Sequence, residues 1–239
     1  MQPIQRRFRK QNVMIAGAIA LVFGAFSVSA NAAIVVDGAF NNPSLVSGFT
    51  DYTSGQAFGG PTNNAWTVGS GSVDLVGTHW QGGSGAGSGS VDLDGNAPGS
   101  ISQTLNSLTV GQTYKLTFDL SGNPDGAPGA NPVKSMDVSV GNQSGIAYSF
   151  DTATKHNTDT NMKYVEETLI FTATGTSDTL TFASTDTSGA YGAVIGDVKV
   201  TPSAVPEPPA LVSSLLGFGL IAFLAVRRRR DDGMGTAAF

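Results

Sequence analysis

Residues 114–120, Tyr-Lys-Leu-Thr-Phe-Asp-Leu, put Tyr114, Leu116, Phe118 and Leu120 on one face of an extended backbone and Lys115, Thr117 and Asp119 on the other. A period of two describes a strand with one face on a core and the other toward water. The alternation recurs at Ile101, Gln103 and Leu105, at Met136, Val138 and Val140, and at Leu169, Phe171 and Ala173. It recurs again at Leu180 and Phe182 and at Val198 and Val200. Gly, Pro, Asn and Ser separate these runs, and no part of 33–200 carries the 3.6-residue period of an amphipathic helix. Many short strands with turn signals and no helices predict an all-β domain, a single jelly-roll β-sandwich. Ser-Val-Asp-Leu occurs at 72–75 and at 90–93, but nothing recurs at the next 18-residue step, so a repeat array is not expected. The two copies predict two similar strands joined by a mobile Gly/Ser connection over 82–90.

Charge divides the chain into three parts. All seven arginines lie at the ends: Arg6, Arg7 and Arg9 at one, Arg227, Arg228, Arg229 and Arg230 at the other. Between 33 and 205 five lysines face fifteen carboxylates, a formal charge of −10. Such a surface repels nucleic acid, which needs cations to neutralise its phosphates. The absence of cysteine excludes a disulfide scaffold, a thiolate metal centre and a cysteine nucleophile.

Both ends read as sorting signals. A basic stretch from Arg6 to Lys10 precedes an apolar run from Val13 to about Phe26, and small residues follow. This is the pattern of a secretory signal peptide over 1–32, cleaved at Ala30-Asn31-Ala32 or at Val28-Ser29-Ala30. At the other end, a linker over 201–209 carries Pro206-Glu207-Pro208, followed by a 17-residue apolar segment, Ala210–Val226, and the arginine cluster. As a helix that segment is about 26 Å long, at the lower limit of a bilayer core. The arginines act as a stop-transfer cluster on the cytoplasmic side, leaving 33–200 outside the membrane. Residues 227–239 form the basic cluster and a short cytoplasmic tail. The order of motif, apolar helix and basic cluster resembles the PEP-CTERM sorting signal of Gram-negative bacteria. That resemblance implies export across the cytoplasmic membrane, transient anchoring, and removal of the helix by an exosortase after signal peptidase has acted.

The domain carries its own set of motifs. Asp37-Gly38-Ala39-Phe40, Trp66-Thr67-Val68, Gly71-Ser72-Val73-Asp74-Leu75-Val76, Trp80 and Ser90-Val91-Asp92-Leu93-Asp94-Gly95 come first. Pro98 to Thr104, Gly111 to Tyr114, Phe118 to Asn123, Phe171 to Ala173 and Leu180 to Ser184 follow in order. Together they resemble the choice-of-anchor C family of bacterial surface proteins. The resemblance implies a galactose-binding-like jelly roll on the cell surface or in an exopolysaccharide matrix, as in a biofilm, and no catalytic residues. Asn41 stands where that family usually has a carboxylate.

Candidate chemistry is sparse. His79 and His156 are the available neutral-pH bases, and no G-x-S-x-G, H-E-x-x-H or P-loop occurs. No catalytic residue is assigned, although a secreted polysaccharide-active hydrolase using paired carboxylates stays open as the alternative. Asp92-Leu93-Asp94-Gly95-Asn96 opens like a calcium loop, but Ala97 and Gln103 break the EF-hand pattern. No cofactor is expected beyond one weak structural calcium, for which Asp37 and Asp197 are the candidate pair, because first and last strands of jelly rolls adjoin. Trp66, Trp80, Tyr52, Tyr148, Tyr164 and Tyr191 are candidates to stack on a pyranose face. Trp66, in an apolar context, reads as core. Trp80, flanked by His79 and Gln81, reads as a carbohydrate-binding group for an extracellular polysaccharide.

Overall fold

Strand β7 (Thr113–Gly122) contains the alternating run 114–120, and its Tyr114, Leu116, Phe118 and Leu120 are all buried. In the computed structural model of this chain the described residues are 33–203 apart from 43, 86, 127–130 and 188. The expected signal peptide, Pro206-Glu207-Pro208, the apolar segment 210–226 and the arginine cluster lie outside the described residues. Among the described residues no helix is long and apolar enough to cross a membrane.

The remaining strands are β1 (Phe49–Thr53), β2 (Ala57–Phe58), β3 (Trp66–Val68), β4 (Ser72–Val76), β5 (Ser90–Asp92), β6 (Ser100–Leu105), β8 (Val133–Val140), β9 (Gln143–Asp151), β10 (Val165–Thr172), β11 (Asp178–Ser184) and β12 (Ala193–Pro202). They form two six-stranded antiparallel sheets, ordered β1-β4-β5-β12-β7-β10 and β2-β3-β6-β11-β8-β9. The sheets enclose one core in which Phe58, Trp66, Phe118, Phe171 and Phe182 are fully buried. Phe118 of the first sheet meets Phe182 of the second edge-on at 5.2 Å, a favourable aromatic arrangement.

The two Ser-Val-Asp-Leu copies became β4 and β5, and they pair directly, Leu75 opposite Val91. The loop between them does not hang free. Ser84 donates its backbone N–H to Asp119 Oδ2 at 2.6 Å, Gly89 donates to the Ala39 carbonyl at 2.9 Å, and Ser88 is buried. One helix turn that no helical period predicts, α1 (Thr152–Lys155), follows β9, capped by the Asp151 side chain.

Strand β12 solves a parity problem. Ala193 and Ile195 face the core, and strict alternation would then send Asp197 and Lys199 inward. A bulge opposite β7 between Gly196 and Lys199, with Asp197 at φ +47°, turns Asp197 outward and returns Val198 and Val200 to the core. The chain's entry is fastened here: Val198 donates its N–H to the Gly38 carbonyl at 2.8 Å. A Cβ on Gly38 would fall 1.9 Å from the Val198 oxygen, so only glycine allows the approach.

Candidate functional site

The outward face of the first sheet is not uniformly wet. Val76, Trp80, Met162 and Val194 form a second buried cluster there, joined by Tyr164. Beside it runs a row of acids set by register: Asp51 of β1 opposes Asp74 of β4, and Asp74 opposes Asp92 of β5. Like charges directly opposite one another destabilise a sheet, so folding alone gives no reason for this row.

Asp92 is fully buried and holds three segments together. Its carboxylate accepts from the Asp94 and Gly192 backbone N–H groups at 3.0 Å each and from Asn123 Nδ2 at 2.6 Å. Burial nevertheless pushes its carboxyl up to about 8. Burial, reinforced by the Asp51 charge and opposed by His79, pushes Asp74 up to about 6. After β5 the chain turns over this row at Gly95, whose N–H donates to the Ser72 carbonyl at 3.0 Å. A Cβ there would lie 2.8 Å from Asp51 Oδ1 and 3.2 Å from Asp74 Oδ1. The two oxygens are therefore at most 6.0 Å apart.

Asp51 and Asp74 line a pocket of about 220 Å³. Asp51, Asp74, Asn96, Asn123 and Asp125 supply its polar wall, and His79 and Trp80 close one side. Phe49 and Tyr191 stand at its rim, 53% and 45% exposed. His79 Nε2 and Asp125 Oδ2 share a hydrogen bond at 2.8 Å, and the His79 ring packs edge-on against Phe49 at 5.6 Å. A second pocket, about 400 Å³ and lined by Val36, Thr62, Asn64 and Gln103 among others, has neither an aromatic nor a charged side chain among the described residues.

Of the three residues expected to bind sugar, the structure places His79 and Trp80 in the pocket wall and turns Gln81 away. Trp80 is only 7% exposed, packed in the outer cluster with its Nε1 donating to Ser90 Oγ at 2.9 Å. Met162 and Tyr164 pack with it, so little of its ring is open. Gln81 is turned away: its Oε1 accepts from Met162 N–H at 3.0 Å and its backbone oxygen accepts from the Tyr164 hydroxyl at 3.1 Å. Trp66 is core, as expected. Phe49 and the acid row went unread in the sequence because only register and loop packing bring them together.

Asp37 and Asp197 lie on adjoining segments but have separate partners. Asp37 accepts from the backbone N–H groups of Asn41, Asn42 and Gly60 at 3.0–3.2 Å, while Asp197 Oδ2 accepts from Ser84 and Lys199. Burial raises the Asp37 carboxyl against those three donors. Asp92 and Asp94 do not act as one loop either, since Asp94 is buried near Ser184, Asp186 and Lys134, where desolvation pushes it up to about 6. Among the described residues no group of three or more His, Asp or Glu side chains is arranged to hold a metal ion.

One family model matches, over residues 33–201, under the description "Protein of unknown function (DUF642)". The chain belongs to the DUF642 family. Halomucin of Haloquadratum walsbyi is 34% identical to this DUF642 chain over 144 residues, which is 59% of the chain and 1% of halomucin. The chain thus spans about a hundredth of the curated relative it matches. Among solved structures, a family 35 carbohydrate binding module from Clostridium thermocellum is 12% identical, covering 66% of the DUF642 chain and 100% of the module at a TM-score of 0.39. A CBM35 from Paenibacillus barcinonensis is 17% identical, covering 64% and 99% at a TM-score of 0.37. At these scores the two likenesses carry no argument about ligand or mechanism.

Proposed function

We propose that this DUF642 domain is a non-catalytic carbohydrate-binding module with a galactose-binding-like jelly-roll fold. It is carried by an exported protein of the choice-of-anchor C type and associates with exopolysaccharide at the cell surface or in the extracellular matrix. One observation carries the reading: a pocket whose rim presents two exposed aromatic rings, Phe49 and Tyr191, over a wall of Asp and Asn side chains. A pyranose needs an apolar surface for its C–H face and acceptors and amides for its hydroxyls, and this pocket supplies both. Among the described residues the side-chain partner of His79 is Asp125 and not a hydroxyl, which supports binding over nucleophilic catalysis. The exported setting rests on the two terminal signals, with the exosortase acting near Pro206-Glu207-Pro208. Affinity electrophoresis of the protein through gels containing neutral and charged polysaccharides tests the function. Tyr191→Ala and Phe49→Ala are expected to abolish retention without changing the melting temperature. Unchanged retention in both variants sinks the assignment of this pocket.

A second reading, a polysaccharide hydrolase, draws on the same acids. Asp74, raised to about 6, stands beside Asp51 with oxygens no more than 6.0 Å apart, a range that includes the separation of about 5–5.5 Å in retaining glycosidases. Release of reducing ends from a retained polymer, lost in Asp74→Asn, would establish it.

A further inference from the structure

The lining of this pocket is one-sided in charge. Among the described residues it contains Asp51, Asp74 and Asp125, and no Lys or Arg. Asp125 is engaged with His79, and among the described residues the two ion pairs are His79–Asp125 and Lys199–Asp197. Asp51 and Asp74 therefore face each other across β1 and β4 without a cation in ion-pair contact. Water cannot relieve the pair fully, because Asp74 is half-buried under the Gly95 turn.

We infer that the pocket takes a sugar bearing a free ammonium group, seated between Asp51 and Asp74 and covered by the rings of Phe49 and Tyr191. The inference rests on the carbohydrate reading above and names its ligand class. Distance permits it: an ammonium nitrogen about 2.8 Å from two carboxylate oxygens holds them up to about 5.6 Å apart, and the Asp51 and Asp74 oxygens are bounded at 6.0 Å by their approach to Gly95. An ammonium has several N–H donors, enough to serve both carboxylates at once. The aromatic rim adds attraction for a cation as well as for the sugar ring. A uronic acid or sulfated sugar meets the opposite situation, carboxylates facing its own anion with no guanidinium to grip it. A divalent cation is a poorer occupant, since calcium seeks six to eight oxygens and no three His, Asp or Glu side chains converge among the described residues. The pocket's aromatics, and not the acids alone, define the site, so a simple cation lacks the part that would use Phe49 and Tyr191.

The test is titration calorimetry on the full-length protein in mild detergent with three probes: a β-1,4-linked glucosamine hexamer, its fully N-acetylated form, and a galacturonic acid hexamer with and without calcium. The glucosamine hexamer is expected to bind about tenfold or more tightly than the acetylated one, the usual scale for a charge-assisted hydrogen bond. Asp74→Asn and Asp51→Asn should each erase that preference, whereas Tyr191→Ala should weaken both forms and keep the preference. Cooperative urea unfolding of each variant is the control that it folds. Equal binding of free and acetylated hexamers overturns the ammonium inference and leaves the carbohydrate module standing. Binding of galacturonate alone, dependent on calcium, also overturns it and reassigns the acids to a bridging cation. Retention of none of the hexamers, with no polysaccharide retained in gels, overturns the carbohydrate reading itself.

Discussion

Replacing Trp80 by alanine separates a pocket wall from a stacking platform. The side chain is 7% exposed and packs against Val76, Met162 and Val194. Truncating a buried Trp to Ala costs about 3–5 kcal/mol through lost transfer energy and the cavity left behind. A second effect is separable. Trp80 Nε1 donates to Ser90 Oγ at 2.9 Å, and Ser90 is fully buried. Trp80→Phe keeps most of the volume but deprives this hydroxyl of its donor, at about 1–3 kcal/mol. The Tyr164 hydroxyl also neighbours Ser90 and offers a substitute partner, so the expected cost is nearer about 1 kcal/mol. Adding Ser90→Ala to Trp80→Phe removes the stranded hydroxyl and should recover part of that loss. Urea unfolding with linear extrapolation measures all three variants. Against a typical total stability of about 5–15 kcal/mol, the alanine variant should unfold at clearly lower urea or fail to fold at 37 °C. A Trp80→Ala protein with wild-type stability and abolished polymer retention would refute the packing argument.

Asp74 and Asp92 have carboxyls raised by burial to about 6 and about 8. The folded state thus holds protons that the unfolded chain releases near pH 4, and their contribution to stability is full below that pH and lost as pH rises to about 8. Urea midpoints from pH 5 to 8.5 should fall, and Asp92→Asn should flatten the upper part of the curve. A rising midpoint would contradict the burial of Asp92. Asp37 and Asp197 are each committed to N–H, hydroxyl or ammonium donors. Melting temperatures in calcium and in chelator at equal ionic strength should therefore agree, and a calcium-specific rise abolished by Asp37→Asn would restore a calcium site there. Gly95→Ala puts a methyl 2.8 Å from Asp51 Oδ1. It should weaken ligand retention more than tenfold by displacing the acids, at a stability cost of about 1–3 kcal/mol. Undiminished retention would show that the Gly95 turn does not set the site.

The strands that were legible were those with one dry and one wet face. Strand β7, with its four inward apolar residues, and β8, with Met136, Val138 and Val140, read directly. Strand β9 did not, because it is the edge of its sheet and eight of its nine residues, all but Phe150, stay partly or fully exposed, among them Gly145 at positive φ. The site was half legible. The repeated Ser-Val-Asp-Leu gave Asp74 and Asp92 equivalent places on what proved to be neighbouring strands, but that Asp51 would join them depends on the non-local pairing of β1. Trp80 is buried although its sequence neighbours are polar. Its burial comes from Met162 and Tyr164, some eighty residues away, and no local pattern reports such a contact.

The course of β12 gives the domain a direction in which it is strong. Its first residues follow immediately on the Tyr191 wall of the pocket, it runs between β5 and β7 near the middle of its sheet, and the chain leaves it at Pro202. If a polymer bound at Tyr191 is pulled against the chain beyond Pro202, the tension runs along this strand. Antiparallel hydrogen bonds lie across the strand direction and an extended strand has almost no slack, so such tension passes through the covalent backbone and leaves the ladders on either side unloaded, where a pull on the edge strand β1 would open its bonds one after another. In single-molecule pulling, attachment at position 191 and just beyond 202 should show no unfolding step at forces that strip β1 from its edge. An unfolding step at such forces from the 191 attachment would show that the strand does not carry the load alone.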